Sequence, residues 1–284
     1  MKSLLIVSAR HRSGSTTLTC LLASYLQSVA RRRVLVLDLA EPPWCARVLA
    51  CGSGGTAVTA SRLPDVDYLA STPRGAIRVL DACGVDGLRA GGDSSPTPYY
   101  ANLRHLLSVA GPWFDVCLID APVLPDVRTV CAEALVDAAV SPMAVSPSYI
   151  DCALEVINGT YGIRNVRARL NPALRFTGLL PVMATPGSAN DAWVRVIETT
   201  LREWLIEDEA LPQGYALLPR VPYVDCVEDV GSSSKSSRGV AARDATVSDA
   251  SRAVTACLKV ITQRLDAVPT ASAAASGHAG ACNV

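Results

Sequence analysis

SLLIVSARHRSGSTTLTCLLASYLQSV, residues 3–29, is the stretch that decides the fold. Residues 3–8 (SLLIVS) are a short apolar run closed by a Gly/Ser-rich turn. Leu18, Leu21, Leu22, Tyr25, Leu26 and Val29 then recur at the spacing of one helix face,. The pattern predicts a buried strand, a tight turn and a helix. Residues 33–39 (RVLVLDL) supply a second buried strand ending in Asp38. Strand, crossover helix and strand make the right-handed parallel unit. The alternation continues, with strands predicted at 66–70, 114–119, 138–145 and 174–182. Helices are predicted at 99–109, 127–137, 149–158 and 190–207. Apolar strands alternating with helices predict a single doubly wound α/β domain, its mainly parallel sheet covered by helices on both faces. Such folds bind ligands at the carboxyl ends of their strands.

Composition sets the limits. The chain has 284 residues, half of them hydrophobic, which is enough for one large core,. Aromatics are only 5%, so Ala, Val and Leu must build it. Zero formal net charge excludes a strongly basic nucleic-acid binder by bulk charge and leaves a local patch open,. No 18-residue apolar run exists to span a membrane, and the apolar start is too short for a signal peptide,. Ten cysteines with no C-x-x-C pair and three His give no zinc-ligand spacing,. They read as buried thiols in a reducing cytosol, Cys117 in FDVCLIDA acting as a small core hydrophobe,. Residues 84–98 and 231–239 (GSSSKSSRG) read as loops. Residues 267–284 are Ala/Ser-rich and of low complexity, which predicts a disordered tail behind a 1–266 domain,.

The turn ARHRSGSTT, residues 9–17, follows a strand and opens a helix, the context in which a phosphate-loop reading carries weight,. A helix N-terminus offers free N–H groups and a positive dipole end to an anion. Gly14 permits the tight path, and Thr16 lies where a hydroxyl ligates Mg²⁺. Ser15 stands where a phosphate loop has Lys, so by motif alone an ordinary strand-to-helix turn remains the competing reading.

Five segments in order settle the resemblance. ARHRSGSTTLTCLLASYLQ resembles the deviant Walker A segment, K-G-G-x-G-K-[ST]-T, and first helix of the ParA/MinD-like P-loop ATPases. RVLVLDLAEP is similar to that family's second strand, FDVCLIDAPV to its Walker B strand, VDAAVSPMAVSPSYIDCALEV to the following strand and helix, and LLPRVPYVD to its late I-P-R segment. The resemblance implies ATP or ADP cradled by Arg10, Arg12, Ser13, Gly14, Ser15, Thr16 and Thr17, with Mg²⁺ beside Thr16, Asp38 and Asp120. It implies catalytic roles for Arg10, at the signature-lysine position, and Asp38. It further implies a homodimer, a ParB-like partner, non-specific DNA binding and a cytoplasmic, nucleoid-associated protein of plasmid or chromosome segregation.

The departures are specific. Ser15 replaces the phosphate-loop Lys, and Ala40 replaces a second-strand acid that helps place the attacking water. Phosphoryl transfer relies on positioning and charge stabilisation, so both losses predict weak or absent hydrolysis. Arg10 and Arg12 keep two cations in the loop, with a solvated loop as the competing reading,. A BcsQ-like branch associated with cellulose secretion has the similar loop R-G-G-V-G-T-T-T, so a non-hydrolysing assembly scaffold stands as the alternative function. His11 and Arg12 replace that branch's paired Gly.

Lys235, Arg238 and Arg243 are the DNA-contact candidates, against a solvated flexible loop,. His11 beside Ser13 and Ser15 makes no hydrolase triad, because the chain has no G-x-S-x-G elbow,. Trp193, Ile197, Leu201, Trp204 and Leu205 share a helix face that reads as core,. Asp126, Glu133 and Asp137 read as helix surface without a role.

Overall fold

The computed structural model describes residues 1–51, 55–58, 66–82, 88, 96–184, 188–209, 211, 213–219 and 241–269. The strands are β1 (Lys2–Ile6), β2 (Val34–Asp38), β3 (Gly55–Val58), β4 (Ile77–Asp81), β5 (Val116–Asp120), β6 (Ala138–Ala144), β7 (Arg175–Ala184) and β8 (Leu218–Pro219). They form one sheet in the order β3-β4-β2-β5-β1-β6-β7-β8, and every pairing in it is parallel. The single, parallel α/β sheet that the sequence predicts is therefore present.

Alternation along the strands explains the two covered faces. Leu4, Ile6, Val34, Val36 and Leu118 point to one side. There they meet α1 (Ser15–Ser28), α2 (Trp44–Cys51) and the long C-terminal α9 (Ala241–Ala267). Leu5, Val7, Leu35, Leu37 and Ile119 point to the other side. Their partners come from α3 (Val66–Ala70), α4 (Pro96–Ala110), α5 (Val127–Glu133), α6 (Pro147–Asn158) and α7 (Ile163–Arg169). Each such aliphatic side chain contributes about 1.5–3 kcal/mol on burial. A third cluster joins β7, α6 and α8 (Ser188–Leu201) through Leu179, Ile157, Ile197 and Leu201. Cys117 is fully buried in the core.

Register places the site. Asp38 pairs with Asp120 and with Asp81, and Ile6 pairs with Asp120, so four strands end level. Two strand-terminal carboxylates thus stand beside the turn that leaves β1.

Several elements differ from the sequence reading. Residues 66–70 form a helix, not a strand: Leu69 is buried while Asp67 and Ala70 are exposed, a one-sided burial that suits a helix turn. The helix predicted over 127–137 stops at Glu133. Asp126, Glu133 and Asp137 are not helix surface. Asp126 caps α5 by accepting from the Arg128 N–H, Glu133 is fully buried, and Asp137 is buried, accepting from the Ser3 N–H and hydroxyl. The helix predicted over 190–207 ends at Leu201 and closes in a 3₁₀ turn, Arg202–Trp204. Ile197, Leu201 and Leu205 are core as predicted, with Trp193 and Trp204 half-buried. The sequence reading has no counterpart for β3, β4, β8, α2, α7 and α9. The 231–239 loop, most of 84–98 and residues 270–284 of the tail lie outside the described residues. Among the described residues no helix is long and apolar enough to cross a membrane.

Candidate functional site

Two left-handed residues bend the turn between β1 and α1: Arg12 at φ 61° and Gly14 at φ 99°. Gly14 occupies the N-cap of α1, where a side chain would be strained,. The first turn of α1 carries no acidic residue, so its outward N–H groups keep their positive end for an anion,. The hydroxyls of Ser13 and Ser15 lie 2.9 Å apart, and Ser15 Oγ donates to Ser8 Oγ at 3.3 Å. The position that a phosphate-loop lysine occupies is thus tied into a neutral hydroxyl chain. Thr16 Oγ1 donates to Asp120 Oδ2 at 2.7 Å. Thr17 lines the same open cleft, of about 600 Å³, together with Arg10, Ala40 and Glu41.

Asp38 and Asp120 are buried at 0% and 1% exposure. The Ala46 N–H at the start of α2 donates to Asp38 Oδ2 at 3.1 Å. The Cys45 thiol donates to Asp120 Oδ2 at 3.3 Å. The second oxygen of each carboxylate, Asp38 Oδ1 and Asp120 Oδ1, has no hydrogen-bond partner among the described residues. Neither carboxylate has an ion-pair partner there. Burial, and then the like charge of Asp120, raise the Asp38 carboxyl to about 7. Burial also raises Asp120, against the hydrogen bonds from Thr16 and Cys45. Two buried acids facing each other without a cation are an unfinished electrostatic arrangement.

The loop cations are on the rim. Arg10 and Arg12 are both exposed. The Arg10 guanidinium stacks 5.3 Å from the centre of the Tyr149 ring and donates to the Ser148 carbonyl at 3.5 Å. The Tyr149 hydroxyl lies 3.0 Å from the His11 carbonyl and 3.2 Å from that of Arg12, so α6 holds the loop from outside. Arg128 forms the far wall, its guanidinium on Asp126 at 2.8 Å and near Glu41 at 3.6 Å.

The structure therefore brings together Ser13, Gly14, Ser15, Thr16, Thr17 and Asp120 in the cleft, with Asp38 buried beside Asp120, leaves Arg10 and Arg12 at the mouth, and keeps Ala40 in the wall. Lys235 and Arg238 lie outside the described residues, and Arg243 is placed on α9 by its backbone only. Sequence reasoning missed Cys45, Arg128 and Tyr149. None lies in the loop or at a strand end, and each reaches the site from a separate helix. Spacing also gave no metal centre involving cysteine, yet one atom each from Asp38, Cys45 and Asp120 fall within 4.8 Å of one another.

The donor set fits both implied groups. Two orphaned buried carboxylate oxygens beside a hydroxyl suit a divalent cation,. A Gly-turned loop at a helix N-terminus with an adjoining cleft suits a polyphosphate,.

No family model and no curated protein matches the chain. Solved structures do. Cobyrinic acid a,c-diamide synthase from Mycobacterium smegmatis, with bound ADP and magnesium, is similar at TM-score 0.66 and 15% identity, over 95% of this chain and 98% of that one. A putative plasmid partition protein from Borrelia burgdorferi B31 bound to AMPPNP is similar at TM-score 0.57 and 14% identity, over 93% and 98%. The cell division ATPase MinD of Pyrococcus furiosus is similar at TM-score 0.53 and 19% identity, over 92% and 98%. The likenesses span nearly the whole of each chain and establish a P-loop fold of the ParA/MinD kind.

Proposed function

We propose that this chain is a ParA-like positioning protein that binds ATP or ADP with Mg²⁺, dimerises around it and hydrolyses it weakly or not at all. The observation that carries the reading is the convergence of the Gly14-turned loop, the Thr16 hydroxyl and two buried carboxylates at the carboxyl ends of adjacent parallel strands. The N–H groups of the loop and of α1 would receive the phosphates. Thr16 and Asp120, already joined at 2.7 Å, would hold the metal side, with Asp38 next to them. Mg²⁺ would supply the positive charge that these carboxylates lack. Asp38, fully buried, would act on the reaction through the metal side, while Ala40 in the cleft wall gives no acceptor to orient water.

Slow turnover follows from charge. With Ser15 in a hydroxyl chain, the loop provides no ammonium to follow charge onto the departing phosphate. A missing stabiliser of that kind removes roughly 3 kcal/mol, about a hundredfold in rate. The overlays with nucleotide-bound structures support the binding half of the reading, and the plasmid partition relative supports a role in DNA segregation. A ParB-like partner, weak DNA contact through Lys235, Arg238 and Arg243, and a cytoplasmic, nucleoid-associated location belong to this proposal.

Calorimetric titration with Mg-ATP tests it. Binding is expected in the parent and a loss of affinity in Thr16→Ala and Asp120→Asn; no heat in the parent overturns it. Ser15 and Ala40 also favour a second reading, a non-hydrolysing assembly scaffold. ATPase rates with DNA and a partner protein separate the two, since only the positioning protein should be stimulated.

A further inference from the structure

We propose that Asp38, Asp120 and Cys45 form a binding site for a thiophilic divalent transition metal, Zn²⁺ by chemistry, that fills without nucleotide. Three observations meet. One ligand atom from each residue lies within 4.8 Å of the others, and all three residues are buried. Asp38 Oδ1 and Asp120 Oδ1 are buried and have no partner among the described residues. No Lys or Arg among the described residues pairs with either acid, and the loop position that brings an ammonium in similar loops is Ser15.

The sulfur decides the cation. Zn²⁺ takes Cys S at about 2.3 Å and carboxylate O at about 2.0–2.2 Å in a tetrahedron, so its ligands stand roughly 3–4 Å apart. The three residues need only a small contraction to reach that. Mg²⁺ demands near-octahedral oxygen ligands and is a poor partner for sulfur. Cys45 already sets its sulfur 3.3 Å from Asp120 Oδ2, against one of the two carboxylates that would share the cation. On binding, the thiol proton and any proton held by the Asp38 carboxyl leave to solvent, and the thiolate joins two carboxylates around a doubly charged ion. The Ala46 N–H on Asp38 Oδ2 and the Thr16 hydroxyl on Asp120 Oδ2 then serve as outer partners that fix the carboxylates,. Cys20, with its sulfur 3.8 Å from that of Cys45, lies behind the site and is not one of the three ligands. The site shares Asp38 and Asp120 with the proposed Mg²⁺-nucleotide position and adds Cys45; it does not depend on that reading, because none of its ligands is a phosphate.

The test is titration of metal-stripped, nucleotide-free protein with Co²⁺, read by the sulfur-to-cobalt charge-transfer absorption. One equivalent should bind with that band, Zn²⁺ should displace it, and excess Mg²⁺ should not. Cys45→Ser should lose the band and bind more weakly by at least the roughly 10–100-fold of a lost outer-shell partner. Cys20→Ser should keep the band. X-ray absorption of the Zn²⁺ form of the parent needs no variant and should show one sulfur among oxygen neighbours. Absence of stoichiometric binding overturns the proposal, as does a band that survives Cys45→Ser or a shell with two or more sulfurs. Failure of Mg-ATP to bind, with the Co²⁺ result intact, would overturn the nucleotide reading alone.

Discussion

Glu133 shows what a single residue can hide. It is fully buried at the end of α5, neither carboxylate oxygen has a hydrogen-bond partner among the described residues, and burial raises its carboxyl to about 8. The folded state therefore keeps a proton that the unfolded chain has lost. Stability contributed by that proton is full below the ordinary carboxylate range and falls as pH rises toward 8. Glu133→Gln is neutral in both states, so it should match the parent near pH 5 and exceed it near pH 8. Holding a proton costs about 1.4 kcal/mol for every pH unit above the ordinary carboxylate range, so the gap should reach a few kcal/mol. Denaturant unfolding at the two pH values measures it; a parent-minus-variant difference that does not change with pH contradicts the buried neutral carboxyl. The same scale governs catalysis. Ser15 and Ala40 each remove one group acting on charge or water, and the parent should turn ATP over about a hundredfold more slowly than a relative carrying the lysine,. A steady-state phosphate-release assay showing equal rates would refute this.

At the scale of elements, α6 acts on the loop through Tyr149. Its hydroxyl braces the His11 and Arg12 carbonyls where the backbone is left-handed. One neutral hydrogen bond is worth about 1 kcal/mol, so Tyr149→Phe should weaken Mg-ATP binding by roughly fivefold while the Arg10 stack on the ring survives,. Unchanged affinity by calorimetry would show that the loop holds its shape unaided. Tyr149 also marks the limit of sequence reading. β1, α1, β2 and β5 were legible because each is a continuous apolar run or a clear helical face, and Asp38 and Asp120 were legible because they end such runs. Residues 66–70 were misread because a five-residue stretch with a single polar position, Asp67, fits a strand or a helix, and only long-range packing of Leu69 decides. Cys45, Arg128 and Tyr149 had no signal, since each is brought to the cleft by tertiary contact across helices distant in sequence. Glu133 looked like surface because a carboxylate is normally solvated, and burial overrode that default.

For the whole molecule, the consequence of the parallel sheet is that everything with a charge to offer nucleotide opens on one edge, where a second copy could close it. Formal net charge is zero, so no long-range repulsion opposes that approach,. Arg10 and Arg12 both stand exposed at the mouth, but they are not equivalent. Arg10 rests on Tyr149 and the Ser148 carbonyl, an exposed stack worth about 0.5–1 kcal/mol that it must release to reach a partner's phosphates,. A charge-assisted, partly water-excluded contact returns about 1.5–3 kcal/mol, so the exchange is favourable. Arg12 has a strained left-handed backbone at φ 61° and would make at most a solvated ionic contact of about 0–1 kcal/mol,. Arg10→Ala should therefore weaken nucleotide-dependent dimerisation by roughly ten- to a hundredfold, and Arg12→Ala by only a fewfold. Sedimentation with Mg-ATP at one fixed salt concentration reads both, since exposed charge contacts are screened. The reverse order would make Arg12 the bridging residue. A parent that stays monomeric with nucleotide bound would remove the dimer from the proposal and leave Arg10 as a cap on its own loop.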